Sequence, residues 1–181
     1  KAYAETINNK TIKDIISVDI DNGVGAGILM KGQIFTGFDG SAGEFGHTTI
    51  DKNGPICSCG NRGCLESLVS IGAIVEKARK INPTIKDFSE IVLNVESFTP
   101  IIEETAEHLS FGIVNLVNMF NPEEVVVVGP ITRLGDAFLE PLRKFTYSKL
   151  SYNRVVINYS AILGNPVTLG GAKYAFDHIL I

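Results

Sequence analysis

The segment GEFGHTTIDKNGPICSCGNRGCLE, residues 43–66, holds all three cysteines of the chain and one of its three histidines. The side chains in it that can bind a metal are His47, Cys57, Cys59 and Cys64. Three thiolates and one imidazole complete the ligand set of a closed, four-coordinate zinc site. Gly60 and Gly63 allow the backbone to turn tightly enough to bring the sulfur atoms to one ion. The spacing therefore predicts a structural zinc site.

Two other interpretations of the cysteines stay open. They could be reduced thiols without a metal, although free cysteines normally scatter through a core as small hydrophobic residues. They could form a disulfide, but their number is odd, and Cys57 and Cys59 are too close along the chain to pair easily.

GEFGH followed by CSCGNRGCLE resembles the signature of the ROK family, which includes bacterial sugar-responsive repressors and sugar kinases. The resemblance implies that the histidine and the three cysteines bind a structural zinc. It also implies that Glu44, His47 and Glu66 line the sugar site. Carboxylates suit this role because each accepts charge-assisted hydrogen bonds from neighbouring sugar hydroxyls. The alternative for Glu44 and Glu66 is a pair of solvated surface glutamates.

The rest of the sequence predicts an α/β fold. Apolar and β-branched runs predict strands over residues 15–20, 24–30, 33–36, 124–129 and 155–159. Caps and helical spacing predict helices over residues 70–82, 86–95, 99–121, 131–150 and 167–181, with the tail of another helix at 1–8. This order is that of a ribonuclease-H-like, actin-type ATPase lobe, a mixed sheet flanked by helices, and the resemblance implies the same fold. The long loop over residues 38–64 needs something to hold it, which zinc would supply.

A loop after the first strand bears on nucleotide binding. Kinases of the family carry a Gly-Thr-Gly phosphate loop where this chain has Asp21, Asn22, Gly23, Val24 and Gly25. Here asparagine replaces the threonine, and carboxylates repel phosphates unless a metal intervenes. A second element, usually Gly-Gly, is Gly129-Pro130 here, and proline lacks an N–H donor. These residues predict a vestigial nucleotide loop that binds ATP weakly or not at all.

The amino-acid composition limits the kinds of partner that the chain can bind. The formal net charge is −4 and the basic residues are scattered, which argues against direct binding of DNA or an anionic membrane. Thiols committed to a metal fit a reducing cytoplasm. His108 and His178 lack partners at ligand spacing, so we interpret both as structural or surface residues. We expect a homodimer.

We expect residues 1–181 to be a single C-terminal lobe. The other lobe, any helix-turn-helix and the family's catalytic aspartate would then lie upstream of Lys1. DNA would be bound only through that upstream part.

Three functions compete at this point. The first is the effector-binding lobe of a repressor that responds to a sugar such as xylose or glucose. The second is the C-terminal half of an ATP-dependent sugar kinase, which the altered phosphate elements disfavour. The third is a zinc-stapled interaction domain without a ligand.

Overall fold

The computed structural model describes residues 2–5, 13–162 and 170. Its strands are β1 (Ile15–Ile20), β2 (Val24–Met30), β3 (Gln33–Ile34), β4 (Glu124–Val128) and β5 (Val156–Tyr159). They form one sheet in the order β3-β2-β1-β4-β5. β2 is antiparallel to β1 and β3, whereas β4 is parallel to β1 and β5. The predicted mixed sheet is therefore confirmed.

The helices in the described part of the chain are α1 (Ala2–Glu5), α2 (Glu66–Val69), α3 (Ile71–Ile81), α4 (Phe88–Leu93), α5 (Thr99–Phe120) and α6 (Asp136–Lys149). Short 3-10 helices cover Phe45–His47, Val95–Phe98 and Pro130–Leu134. None of these helices combines the length and the apolar character that crossing a membrane requires.

The core lies between one face of the sheet and the long helices. Alternate residues of β1 point into it, namely Ile16, Val18 and Ile20, because successive side chains of a strand face opposite sides. Ile102, Leu109 and Ile113 of α5 belong to the same cluster and are fully buried. Burying a side chain of this size contributes about 1.5–3 kcal/mol. The core therefore fixes the position of α5, on which the metal-binding loop packs.

The loop that carries the predicted metal ligands contacts α5 at Gly112. A methyl group added at Gly112 would lie 2.6 Å from Phe45 Cζ and 2.9 Å from Leu65 Cδ2. Phe45 and Leu65 are both buried, and they flank the segment that carries the predicted metal ligands. Their contact with α5 anchors both ends of that segment to the core.

Several predicted boundaries need correction. The helix predicted over residues 131–150 is interrupted because Gly135 has φ +57°, a left-handed conformation that ends the 3-10 turn before α6 begins. β3 is shorter than predicted because only Gln33 and Ile34 pair with β2, and Gly37, three residues beyond its end, has φ +74°. The helix predicted over 86–95 divides at Asn94 into α4 and a 3-10 turn.

Two long helices and two strands match their predictions. β1 and β2 have the predicted bounds, and α3 begins after Ser70, whose hydroxyl accepts a hydrogen bond from the Ala73 N–H. α5 ends at Phe120 and is capped by Asn121, which adopts a left-handed conformation. The helix predicted at 1–8 is present over the described residues Ala2–Glu5, whereas the one predicted at 167–181 lies outside the described residues except for Gly170.

Candidate metal and ligand site

The structure brings the four predicted metal ligands together. One ligand atom from each of His47, Cys57, Cys59 and Cys64 lies within 4.8 Å of the other three. The sulfur atoms of Cys59 and Cys64 are 3.7 Å apart, and His47 Nδ1 is 3.7 Å from Cys57 Sγ. Sulfur ligands about 2.3 Å from a tetrahedral zinc ion are themselves about 3.8 Å apart. The donor set and its spacing therefore fit a zinc ion.

The backbone of the loop folds back on itself to assemble this cluster. The Cys57 N–H donates to the Asn61 carbonyl at 2.7 Å, and the Gly60 N–H donates to the Cys57 carbonyl at 2.9 Å. Gly63 has φ +69°, and a Cβ there would lie 1.5 Å from the Asp51 carbonyl oxygen. Only glycine fits this position, which brings the next residue, Cys64, against the other ligands.

The ligands differ in exposure and in acidity. Cys57 and Cys64 are buried, whereas Cys59 is exposed. Burial, and then the neighbouring thiols, raise the pKa of Cys64 to about 12. The backbone N–H of Asn61 lowers the pKa of Cys59. A metal that binds all three sulfurs at neutral pH must therefore displace at least the proton of Cys64.

His47 connects the cluster to a carboxylate. Its Nδ1 faces Cys57, and its Nε2 lies 3.8 Å from Glu44 Oε2. The hydrogen bond with Cys57 is the main cause that raises the pKa of His47, and the charges of Glu66 and Glu44 add to it. The side chain of Glu44 is 72% exposed, so its carboxylate is open to a ligand from solvent.

Glu66 is held on both oxygens. Its Oε2 accepts a hydrogen bond from the Val24 N–H at 3.1 Å, and its Oε1 accepts one from the Ser58 hydroxyl, also at 3.1 Å. Oε1 also lies 3.9 Å from Cys57 Sγ. The carboxylate therefore links the start of β2 to the cysteine loop.

The two carboxylates line separate surface cavities within the described residues. Glu66 lines one of ≈ 260 Å³, together with polar residues from three segments, which are Asn22, Ser58, Ser67, Ser70 and Glu76. Glu44 lines another of ≈ 280 Å³ with Ser17 and Asp19. His47 lies 3.8 Å from the Glu44 carboxylate, and the negative charge of Glu66 also helps to raise the pKa of His47. Neither set of lining residues includes a lysine or an arginine.

The predicted nucleotide loop joins β1 to β2. The Asn22 N–H donates to Asp21 Oδ1 at 2.8 Å, and the Val24 N–H donates to Glu66 Oε2. Gly129 follows β4, which runs parallel to β1, so its backbone reaches the same edge of the sheet. Gly129 has φ +94°, and a Cβ there would lie 2.4 Å from the Ile20 carbonyl oxygen. Two backbone donors of the loop therefore already donate to carboxylates.

Sequence reasoning missed the partners of Glu66. Ser58 stands between two ligand cysteines in a loop, where no periodicity marks a serine as important. The Val24 N–H is a backbone group, so no residue type could signal it.

Of the other two histidines, the structure describes His108, which is not part of the cluster. His108 lies half-buried on α5, 3.9 Å from Glu104, and burial lowers its pKa. His178 lies outside the described residues.

Comparison with known proteins gives close relatives of two kinds. A xylose repressor of Caldicellulosiruptor bescii is 34% identical over 179 residues, which cover 88% of this chain and 45% of the relative. A glucokinase of Halalkalibacterium halodurans is 31% identical over 152 residues, which cover 73% of this chain and 46% of the relative. The chain thus spans about half the length of the curated relatives it matches.

A solved structure supports the fold assignment. The crystal structure of a ROK hexokinase from Thermus thermophilus superposes with a TM-score of 0.84 at 24% identity, covering 99% of this chain and 63% of that one. At this level of identity the likeness shows the fold alone, and it confirms the predicted ribonuclease-H-like, actin-type architecture. The family model described as ROK family matches residues 1–175. The chain belongs to the ROK family.

Proposed function

We propose that this chain is the sugar-sensing, effector-binding lobe of a ROK-family transcriptional repressor, built around a structural zinc site. The observation that carries the proposal is the position of His47. It offers one ring nitrogen to the thiol cluster and turns the other toward the carboxylate of Glu44. A metal bound by the cluster would therefore hold a ligand-facing side chain in place.

Zinc is the metal that the donor set favours. Soft thiolate ligands with an imidazole select zinc over magnesium or calcium, which prefer oxygen ligands. With four protein donors no coordination position stays open, so the ion would be structural. Its role would be to close the loop that carries Glu44 and Ser58 and to orient His47.

A neutral sugar is the ligand class that the polar groups suit. Glu44, His47 and Glu66 supply acceptors and a ring nitrogen for hydroxyl groups, and serine and asparagine side chains line the cavity beside Glu66. Anions are disfavoured because both cavities have acidic side chains and no basic ones among their lining residues. The similarity to a xylose repressor supports a regulator that responds to a sugar.

The kinase alternative rests on the similarity to a glucokinase. Family membership cannot decide between the two, since regulators and kinases both match. The loop contacts favour the regulator, because the Asn22 and Val24 N–H groups donate to carboxylates rather than pointing at a free phosphate site. The proline after Gly129 removes a further donor.

Zinc affinity should fall as the pH falls. The pKa of Cys64 is about 12 without metal, so its thiol stays protonated through the neutral range and zinc must displace that proton. Displacing one proton weakens binding by about tenfold per pH unit, and protonation of His47 steepens the fall at the acid end. Competition titrations between pH 8 and pH 6, with the proton release that accompanies zinc binding measured in two buffers, test this. Binding that is independent of pH and releases no proton would contradict a thiolate site.

Glu66→Gln should weaken sugar binding and leave the zinc content intact. The change replaces a charged acceptor with a neutral amide, and a hydrogen bond to a charged group contributes roughly 1.5–3 kcal/mol, or about 10- to 150-fold in affinity. Calorimetric titration of the wild type and of Glu66→Gln with xylose and with glucose measures the loss of sugar affinity. Zinc is assayed in both proteins in parallel.

The matched control is Glu76→Gln, which removes a carboxylate from the exposed rim of the same cavity. It should change sugar affinity much less. Equal sugar affinity in wild type and Glu66→Gln would leave Glu66 with a structural role only. No sugar binding by the wild type would favour an interaction domain without a ligand.

ATP should bind weakly or not at all. Its phosphates would meet Asp21 and Glu66, and the two nearest backbone donors are already engaged. Titration with ATP and magnesium, with and without sugar, measures this, together with an assay for sugar phosphate. Micromolar ATP affinity with turnover of sugar would instead identify a kinase.

A further inference from the structure

Two of the clustered cysteines differ in a way that structural zinc binding does not require. Cys59 is exposed, whereas Cys64 has none of its surface accessible. Their sulfur atoms are nevertheless only 3.7 Å apart. An exposed sulfur beside a buried one is the arrangement in which an oxidant reaches the first and the second can then resolve the product.

We propose that Cys59 is a peroxide-reactive modification site and that Cys64 is its resolving thiol, so that oxidation forms a Cys59–Cys64 disulfide and expels the metal. The inference rests on the proposed zinc site and adds a means of regulating it. The oxidant class is a peroxide, with hydrogen peroxide as the simplest member.

The chemistry balances in two steps. The Cys59 thiolate attacks one oxygen of hydrogen peroxide, the O–O bond breaks, and a sulfenic acid forms while hydroxide leaves and is protonated to water. The Cys64 thiolate then attacks the Cys59 sulfur, the S–S bond forms, and the second hydroxide leaves and is protonated to water. Two thiolates have lost two electrons, the peroxide has gained them, and the zinc ion is released with two ligands fewer.

Exposure and sequence spacing favour this pair over the pairs that include Cys57, whose sulfur also lies within 4.8 Å of the other ligand atoms. A disulfide bond is about 2.05 Å long, so the Cys59 and Cys64 sulfurs must approach by roughly 1.7 Å. Cys57 is buried, and its sulfur contacts His47 Nδ1 and Glu66 Oε1. Only one residue separates Cys57 from Cys59, which makes that pairing strained. Cys57 should therefore remain a thiol.

Ser58 would carry the effect to the sugar site. It lies between Cys57 and Cys59, and its hydroxyl donates to Glu66 Oε1 at 3.1 Å. Drawing Cys59 toward Cys64 while the metal leaves moves the backbone on both sides of Ser58. Loss of a hydrogen bond to the Glu66 carboxylate should lower sugar affinity by about tenfold or more.

The test treats the natural protein, purified with its zinc, with a small excess of hydrogen peroxide. A chromogenic chelator should report one zinc released per chain, and thiol titration should report two thiols lost. Peptide mapping should find a disulfide between Cys59 and Cys64, with Cys57 still open to alkylation. Dithiothreitol with added zinc should reverse all three changes. Retention of zinc, or a disulfide that includes Cys57, would overturn the proposal.

Cys59→His is the decisive variant because an imidazole can keep the fourth ligand while removing the reactive sulfur. Its zinc should resist the peroxide treatment, and zinc release at the wild-type rate would overturn the assignment of Cys59. Disulfide mapping of the wild type decides the question even if this variant holds zinc poorly.

Sugar titration before and after oxidation separates this inference from the proposed function. If the untreated protein binds no sugar, the proposed function fails while the mapped disulfide still decides the redox chemistry. If sugar affinity is unchanged in a protein shown to be oxidised, the link through Ser58 is wrong.

Discussion

The convergence of residues 47–64 on one point, where three sulfur atoms and an imidazole lie within 4.8 Å of one another, is the constraint on which the rest of the site depends. Ordering a loop residue costs about 1–2 kcal/mol of backbone entropy. Within the loop from Phe38 to Cys64, a 3-10 turn, isolated bridges, backbone hydrogen bonds and the burial of Phe45 offset part of that cost. Structural zinc contributes roughly 10–16 kcal/mol in small zinc-binding peptides, which is enough to fix a loop of this kind. We infer that metal binding would also order the side chains of the proposed sugar site.

The same loop determines which ligands the site suits. Phe45 and Leu65 pack on α5 at Gly112, so the ends of the metal-binding segment are fixed by the core. Ser58 of this segment, together with the Val24 N–H at the start of β2, holds Glu66 at the point where a phosphate loop would need free donors. Holding a carboxylate there favours hydroxyl groups and disfavours phosphates. This contact offers a physical reason why a chain similar to kinases would have the proposed role of a sensor.

Much of the fold and the cluster was predictable from the sequence, because these features depend on residue type and spacing. The runs IISVDI and VGAGILM predict β1 and β2, and Ser70 and Asn121 mark the limits of α3 and α5. The metal cluster followed from four ligand types in one segment. The break at Gly135 was not predicted, since its effect comes from a left-handed conformation rather than from composition. The contacts of Glu66 depend on three segments meeting in space, which spacing along the chain cannot reveal.

The most direct test of the central claim compares sugar binding by the natural protein before and after zinc is removed with a chelator, and again after zinc is restored. Calorimetry with xylose and with glucose measures the affinity, and circular dichroism verifies that the helices and sheet persist. If zinc holds the sugar-facing side chains in place, stripping should weaken sugar binding by about tenfold or more, and restored zinc should recover it. Equal affinity with and without zinc, in a protein shown to lose and regain one ion per chain, would contradict the claim.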